Sequence, residues 1–133
     1  MKPAGYHFLL DLGDVDPQRL DDPDFIRRAM HSAIERAELT LLGEIEHRFE
    51  PQGVTAIALL AESHLSIHTW PESGYAAADL FTCGERAPAE RACKLLIEIF
   101  EPRDVHLHVM FRGVRLAEGH EPIPVVVRSK RSA

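Results

Sequence analysis

The stretch Glu62-Ser63-His64-Leu65-Ser66-Ile67-His68-Thr69-Trp70-Pro71-Glu72-Ser73-Gly74, running on through Tyr75-Ala76-Ala77-Ala78-Asp79-Leu80-Phe81-Thr82-Cys83-Gly84, decides the reading of this chain. Leu65 to Thr69 and Tyr75 to Phe81 are short, apolar segments with Pro71 and Gly74 between them, so they read as two strands joined by a turn. Further short apolar runs lie on either side, at Tyr6 to Leu12, Leu42 to Phe49, Val54 to Ala61 and Val105 to Phe111, with a last one at Val125 to Val127. Between the first two, Phe25, Ile26, Ala29, Met30, Ala33, Ile34 and Ala37 recur at helical spacing behind Pro23, which predicts a helix over Asp24 to Leu39. A second helix is expected from Pro88, with Ala92, Leu95, Leu96, Ile99 and Phe100 as its buried face, stopping before Pro102.

The same stretch carries an unusual set of reactive groups. A carboxylate residue precedes a hydroxyl at Glu62-Ser63, an imidazole follows five places on at His68, and a thiol twenty places on at Cys83. Ser63 can attack the carbonyl carbon of Glu62 and turn the amide into an ester. Removal of the Ser63 α-proton then expels the Glu62 carboxylate and leaves dehydroalanine, which tautomerises and hydrolyses, with loss of ammonia, to a pyruvoyl group. His68 suits the proton removal because imidazole titrates near neutral pH. His64 and His68 stand four apart, but Leu65, Ile67 and Pro71 argue for a strand, so no metal pair is expected.

This stretch closely resembles the short bacterial and archaeal S-adenosylmethionine decarboxylase proenzymes, and the resemblance extends to Gly5, His7 and Phe49-Glu50-Pro51-Gln52-Gly53-Val54. It implies cleavage between Glu62 and Ser63 into chains of residues 1–62 and 63–133, a pyruvoyl cofactor derived from Ser63, His68 in processing, and Cys83 as the acid that reprotonates the substrate. It further implies that Phe49 stacks on adenine and that Glu72 holds ribose hydroxyls; Trp70, in Trp70-Pro71, reads on its own as core or pocket wall. Thr55 stands where relatives often have serine, and it keeps the hydroxyl that supports processing. Relatives with the same self-processing machinery act on arginine or ornithine, which would make Glu72 the partner of a guanidinium or ammonium group. A non-cleaving paralogue that acts as a partner subunit is a third reading, disfavoured because Glu62, Ser63, His68 and Cys83 are all present.

Length and composition suit one domain spanning residues 1–133. A net charge of −6 disfavours a nucleic-acid surface and suits a cationic amino-acid substrate, although the tail Arg128-Ser129-Lys130-Arg131 is locally basic and reads as a solvated end. Two cysteines make no disulfide framework, and Cys93 reads as a small apolar residue on a helix. With no apolar run of eighteen residues and no leader pattern, neither a membrane span nor a signal peptide is expected, and the protein reads as cytoplasmic. The expected fold is α+β: a two-layer sandwich of a mostly antiparallel sheet with helices on one face. Such a sheet leaves its other face uncovered, and the family resemblance implies sheet-to-sheet pairing into a four-layer homodimer whose sites take residues from both protomers.

Overall fold

A computed structural model describes residues 3–113 and 119–127; the basic tail Arg128 to Arg131 lies outside them. The elements are β1 (Gly5–Gly13), α1 (Pro17–Leu20), α2 (Pro23–Arg36), β2 (Leu41–Arg48), β3 (Val54–Leu60), β4 (Ser63–Trp70), a 3-10 turn (Pro71–Ser73), β5 (Tyr75–Thr82), α3 (Arg86–Phe100), β6 (Asp104–Arg112) and β7 (His120–Pro122). The strands form one seven-stranded sheet in the order β2-β3-β4-β5-β1-β6-β7, and every adjacent pair is antiparallel. The α+β expectation therefore holds, and the expected strands β2 to β5 follow one another as hairpins.

Alternation along each strand decides which face is covered. Phe8, Leu10 and Leu12 of β1 point with Leu65, Ile67 and Leu80 into a core beneath α2 and α3. The register carries the partners of these residues to the same side on every strand, so His7, His64, Ser66, His68 and Asp79 emerge together on the opposite face. That face also exposes apolar groups: Leu59 is 57% and Ile45 70% accessible. On the helix side, the three outward charges of β2 are tied to the neighbouring helices and their connection, Glu44 to His31, Glu46 to Arg27 and Arg48 to Asp21.

Local chemistry sets the helix ends. The Asp22 carboxylate accepts the Asp24 N–H at 2.9 Å, Pro23 fills the first helical position, and Asp24 adds a negative charge where the helix dipole favours one. Leu39 N–H donates to the Ile34 carbonyl at 2.9 Å and Glu38 N–H to the Glu35 carbonyl at 3.0 Å. With Glu38 at φ 63°, this left-handed cap ends α2 three residues before the expected Leu39. α3 begins at Arg86, two residues ahead of Pro88, and its buried stripe includes Cys93 and Ile97. The short α1, which begins at Pro17 behind the Asp16 cap, was not foreseen.

One expected strand is corrected. Val125 to Val127 is not a strand; pairing with β6 runs instead through His120–Pro122. Pro122 and Pro124 have no amide hydrogen to give a ladder, and the last bond is from Ile123 N–H to the Leu107 carbonyl at 2.8 Å. No helix among the described residues is long and apolar enough to cross a membrane.

Candidate active site

Ser63 opens β4 directly across from Thr82, the last residue of β5. The next amide, Cys83 N–H, donates to the Glu62 carbonyl at 2.8 Å. That carbonyl carbon is the one that the sequence reading expects Ser63 to attack, and a fixed N–H on its oxygen would withdraw electrons from the carbon and meet charge growing on the oxygen. Ser63 itself has φ 150°, a region that L residues rarely adopt and that costs about 1–3 kcal/mol. The strain thus sits at the Glu62–Ser63 junction. The Glu62 side chain turns away from it, accepting the Thr40 N–H at 3.1 Å, while Thr82 is buried with its hydroxyl accepting the Gly84 N–H at 3.0 Å. Cys83 is exposed as a free thiol, and Cys93, the other cysteine, is buried in α3, where desolvation pushes its thiol up to about 12.

His68 does not join this group. It lies five residues along an extended strand, about 16 Å from Ser63 at ~3.3 Å per residue, and it faces the uncovered side beside its cross-strand partner Thr55. Thr55 Oγ1 and His68 Nδ1 are 3.0 Å apart. With its proton on Nδ1, the imidazole donates to that hydroxyl and leaves Nε2 free to accept a proton. Phe49, Trp70 and Glu72 belong to the same end of the sheet. Phe49 sits in the β2–β3 turn with its ring edge-on to His47, 4.6 Å between centroids. Trp70 is 42% accessible and stacks on Tyr75 at 5.3 Å. The Tyr75 hydroxyl donates to Asp11, and that bond, with burial and the carboxylate charge, pushes it up to about 12. Glu72 is exposed in the 3-10 turn. The expected site residues therefore form two half-sites at opposite ends of β4: Glu62, Ser63 and Cys83 at one, and Phe49, Thr55, His68, Trp70 and Glu72 at the other.

Sequence reasoning missed a third group on the same face. Asp79 accepts His7 Nε2–H at 2.7 Å, His64 Nε2–H at 3.0 Å and the Ser66 hydroxyl. Burial works against the Asp79 carboxylate, but the three donors outweigh it and hold the group below its ordinary value. His7, His64 and Asp79 bring their ligand atoms within 4.8 Å of one another, a set that could hold a metal ion. Arg112 argues for a hydrogen-bond network instead. Its Nη1 lies 3.3 Å from His7 Nδ1, and a guanidinium only donates, so the imidazole proton must be on Nε2, where it meets Asp79. A metal-bound Nε2 would require the opposite tautomer, with Nδ1–H facing an acceptor. The sequence signal was the polar alternation of His64, Ser66 and His68 within an apolar strand.

Two clefts, of about 370 and 690 Å³, lie along α3, and neither is lined by Ser63, His68 or Cys83. Comparison with known proteins gives a consistent result. A family model described as S-adenosylmethionine decarboxylase matches residues 6–113. An S-adenosylmethionine decarboxylase proenzyme of Parasynechococcus marenigrum is 61% identical over 93 residues, 70% of this chain and 73% of the relative. Its counterpart from Pyrococcus furiosus is 37% identical over 114 residues, 86% of this chain and 82% of the relative. The crystal structure of the adenosylmethionine decarboxylase from Aquifex aeolicus superimposes with a TM-score of 0.82 at 39% identity, covering 86% of this chain and 94% of that one.

Proposed function

This chain belongs to the S-adenosylmethionine decarboxylase family, and on that premise we propose that it is a cytoplasmic proenzyme that cuts itself between Glu62 and Ser63 and then decarboxylates S-adenosylmethionine. The observation that carries the reading is the strained Ser63 behind a carbonyl held by the Cys83 amide at 2.8 Å. Cleavage gives chains of residues 1–62 and 63–133, the second beginning with a pyruvoyl group. The residues present fit that group, since its precursor hydroxyl and the activated carbonyl lie at the open end of the β4–β5 hairpin, next to the exposed free thiol of Cys83 in sequence. A ketone conjugated to an amide supplies an electron sink for the carboxylate that leaves the substrate. The chain's own residues do the rest. Cys83, exposed beside position 63, returns a proton to the substrate α-carbon, and His68, in the tautomer that donates Nδ1–H to the Thr55 hydroxyl and leaves Nε2 basic, removes the Ser63 α-proton during processing. Phe49 and Trp70 offer aromatic faces to a cationic nucleoside, and Glu72 accepts from its ribose hydroxyls.

The separation of the half-sites supports a homodimer. In one protomer His68 cannot reach Ser63, and the face that carries His68 is uncovered, with exposed Ile45 and Leu59. A second copy laid face to face with its strands reversed brings the His68 half-site of one chain to the Ser63 half-site of the other. The product, decarboxylated S-adenosylmethionine, is the aminopropyl donor of spermidine synthesis. Side-by-side measurement of carbon dioxide release from S-adenosylmethionine, arginine and ornithine tests the substrate. Release from S-adenosylmethionine alone is expected, and preferential release from either amino acid overturns the assignment.

A further inference from the structure

Phe49 stands in the β2–β3 turn while Trp70 and Glu72 stand where β4 runs into the 3-10 turn, and one corner of the fold ties all three together. α1 ends at Leu20, and Asp21, its cap, leads into α2. The Asp21 carboxylate accepts Gly53 N–H at 2.9 Å on one oxygen and Arg48 Nη2–H at 3.0 Å on the other. Arg48 also spans the β2–β3 turn, donating to the Pro51 carbonyl at 3.3 Å and to Glu50 at 3.2 Å. Phe49 N–H closes the turn on the Gly53 carbonyl at 2.8 Å. The residue before Phe49 and the residue that closes its turn are thus both held by one carboxylate.

The same corner reaches the end of β4. The Leu20 carbonyl accepts the Thr69 hydroxyl at 2.7 Å, and that buried oxygen accepts Val54 N–H at 2.9 Å. Thr69 adjoins Trp70. Gly53 has φ 105°, and a Cβ there would come within 3.1 Å of the Thr69 carbonyl oxygen, so the turn lies close against β4. The 3-10 turn that carries Glu72 closes from Gly74 N–H to the Pro71 carbonyl at 3.1 Å, and Val15 N–H, just ahead of α1, donates to the Gly74 carbonyl at 2.9 Å.

We propose that Asp21 is a positioning residue for nucleoside recognition, fixing the β2–β3 turn so that Phe49 keeps a set place relative to Trp70 and Glu72 before substrate arrives. This rests on the reading of those three residues as substrate-binding. Without the clamp the turn is an exposed loop, and substrate binding has to supply the ordering that Asp21 now supplies in advance. The Gly53 amide above all, and then Arg48, hold the Asp21 carboxyl below its ordinary value against some desolvation, so the acceptor is ionised throughout the neutral range.

The test is Asp21→Ala beside Asp21→Asn, Arg48→Ala and Phe49→Ala, with self-cleavage, KM, kcat and amide hydrogen exchange read on each. Asp21→Ala should raise KM for S-adenosylmethionine about tenfold, leave kcat within about twofold and speed exchange across residues 48–53. Asp21→Asn, which keeps one acceptor for Gly53, should fall between it and the native protein. Self-cleavage should be unchanged, because the Thr55–His68 pair is set by the pairing of β3 with β4 and not by Asp21. Arg48→Ala should reproduce the KM shift, and the double variant should add little to either single one; this arm also decides the matter if Asp21→Ala folds poorly. An unchanged KM, a loss confined to kcat, or unchanged exchange in residues 48–53 overturns the proposal. If exchange speeds up while Phe49→Ala leaves KM untouched, the substrate-binding reading of Phe49 fails, and the recognition role of Asp21 fails with it.

Discussion

Ser63 lies across from Thr82 and Cys83 across from Glu62 at the open end of one hairpin, and single substitutions separate the steps proposed for Ser63 and Cys83. The Cys83 backbone amide holds the Glu62 carbonyl, and its thiol is the proposed proton donor to the product. Cys83→Ala keeps the amide and removes the thiol, so the variant should still cleave itself while turnover per pyruvoyl group falls roughly 100-fold or more, the usual size for loss of a positioned acid. Near-native turnover would assign the proton to another group. Asp79 gives a pH signature. Its folded value lies below the ordinary 3.8 because Ser66, His7 and His64 outweigh its burial. A lowered carboxylate contributes stability that is present above its unfolded value and is lost as pH falls through the folded one. Urea midpoints followed from about pH 5 down to about pH 2 should fall less steeply in Asp79→Asn than in the native protein. Parallel acid limbs would show that the network contributes nothing to stability.

At the scale of elements, the β4–β5 hairpin depends on a backbone position that only glycine takes without strain. Gly74 has φ 61°, and a Cβ there would lie 3.2 Å from the Val15 carbonyl oxygen. Gly74→Ala should cost about 1–2 kcal/mol and lower Tm by roughly 3–8 °C; an unchanged Tm would mean that the turn relaxes freely. This hairpin was legible from sequence because Pro71 and Gly74 punctuate two apolar runs, and both long helices were legible from their spacing. α1 was not, since four residues carry no periodicity, and Val125 to Val127 misled because β-branched composition outweighed the two prolines that forbid a ladder. The site was legible as a set of residues but not as an arrangement. Sequence order put His68 beside Ser63, whereas an extended strand carries it about 16 Å away. The Asp79 network was invisible because His7, His64 and Asp79 are brought together only by pairing β1 and β4 on either side of β5.

At the scale of the whole molecule, a seven-stranded sheet covered on one side separates the two proposed half-sites at opposite ends of β4, and its uncovered face exposes Ile45 and Leu59. If a second copy completes each site, two defective chains can repair each other. Ser63→Ala and His68→Ala should each remain uncut alone. Co-expressed, they form heterodimers in which native Ser63 of one chain meets native His68 of the other, and the cut fragments should derive only from the His68→Ala chain. No cleavage in the mixture would mean that His68 acts within its own chain after a rearrangement, or does not act at all. The claim on which every other step depends is that this chain breaks its own Glu62–Ser63 bond, and the intact mass of purified protein tests it most directly. Two fragments are expected, residues 1–62 and 63–133, the second lighter by one ammonia than a chain beginning with serine, and a single uncut chain for Ser63→Ala. Native protein that keeps the mass of all 133 residues after prolonged incubation would contradict it.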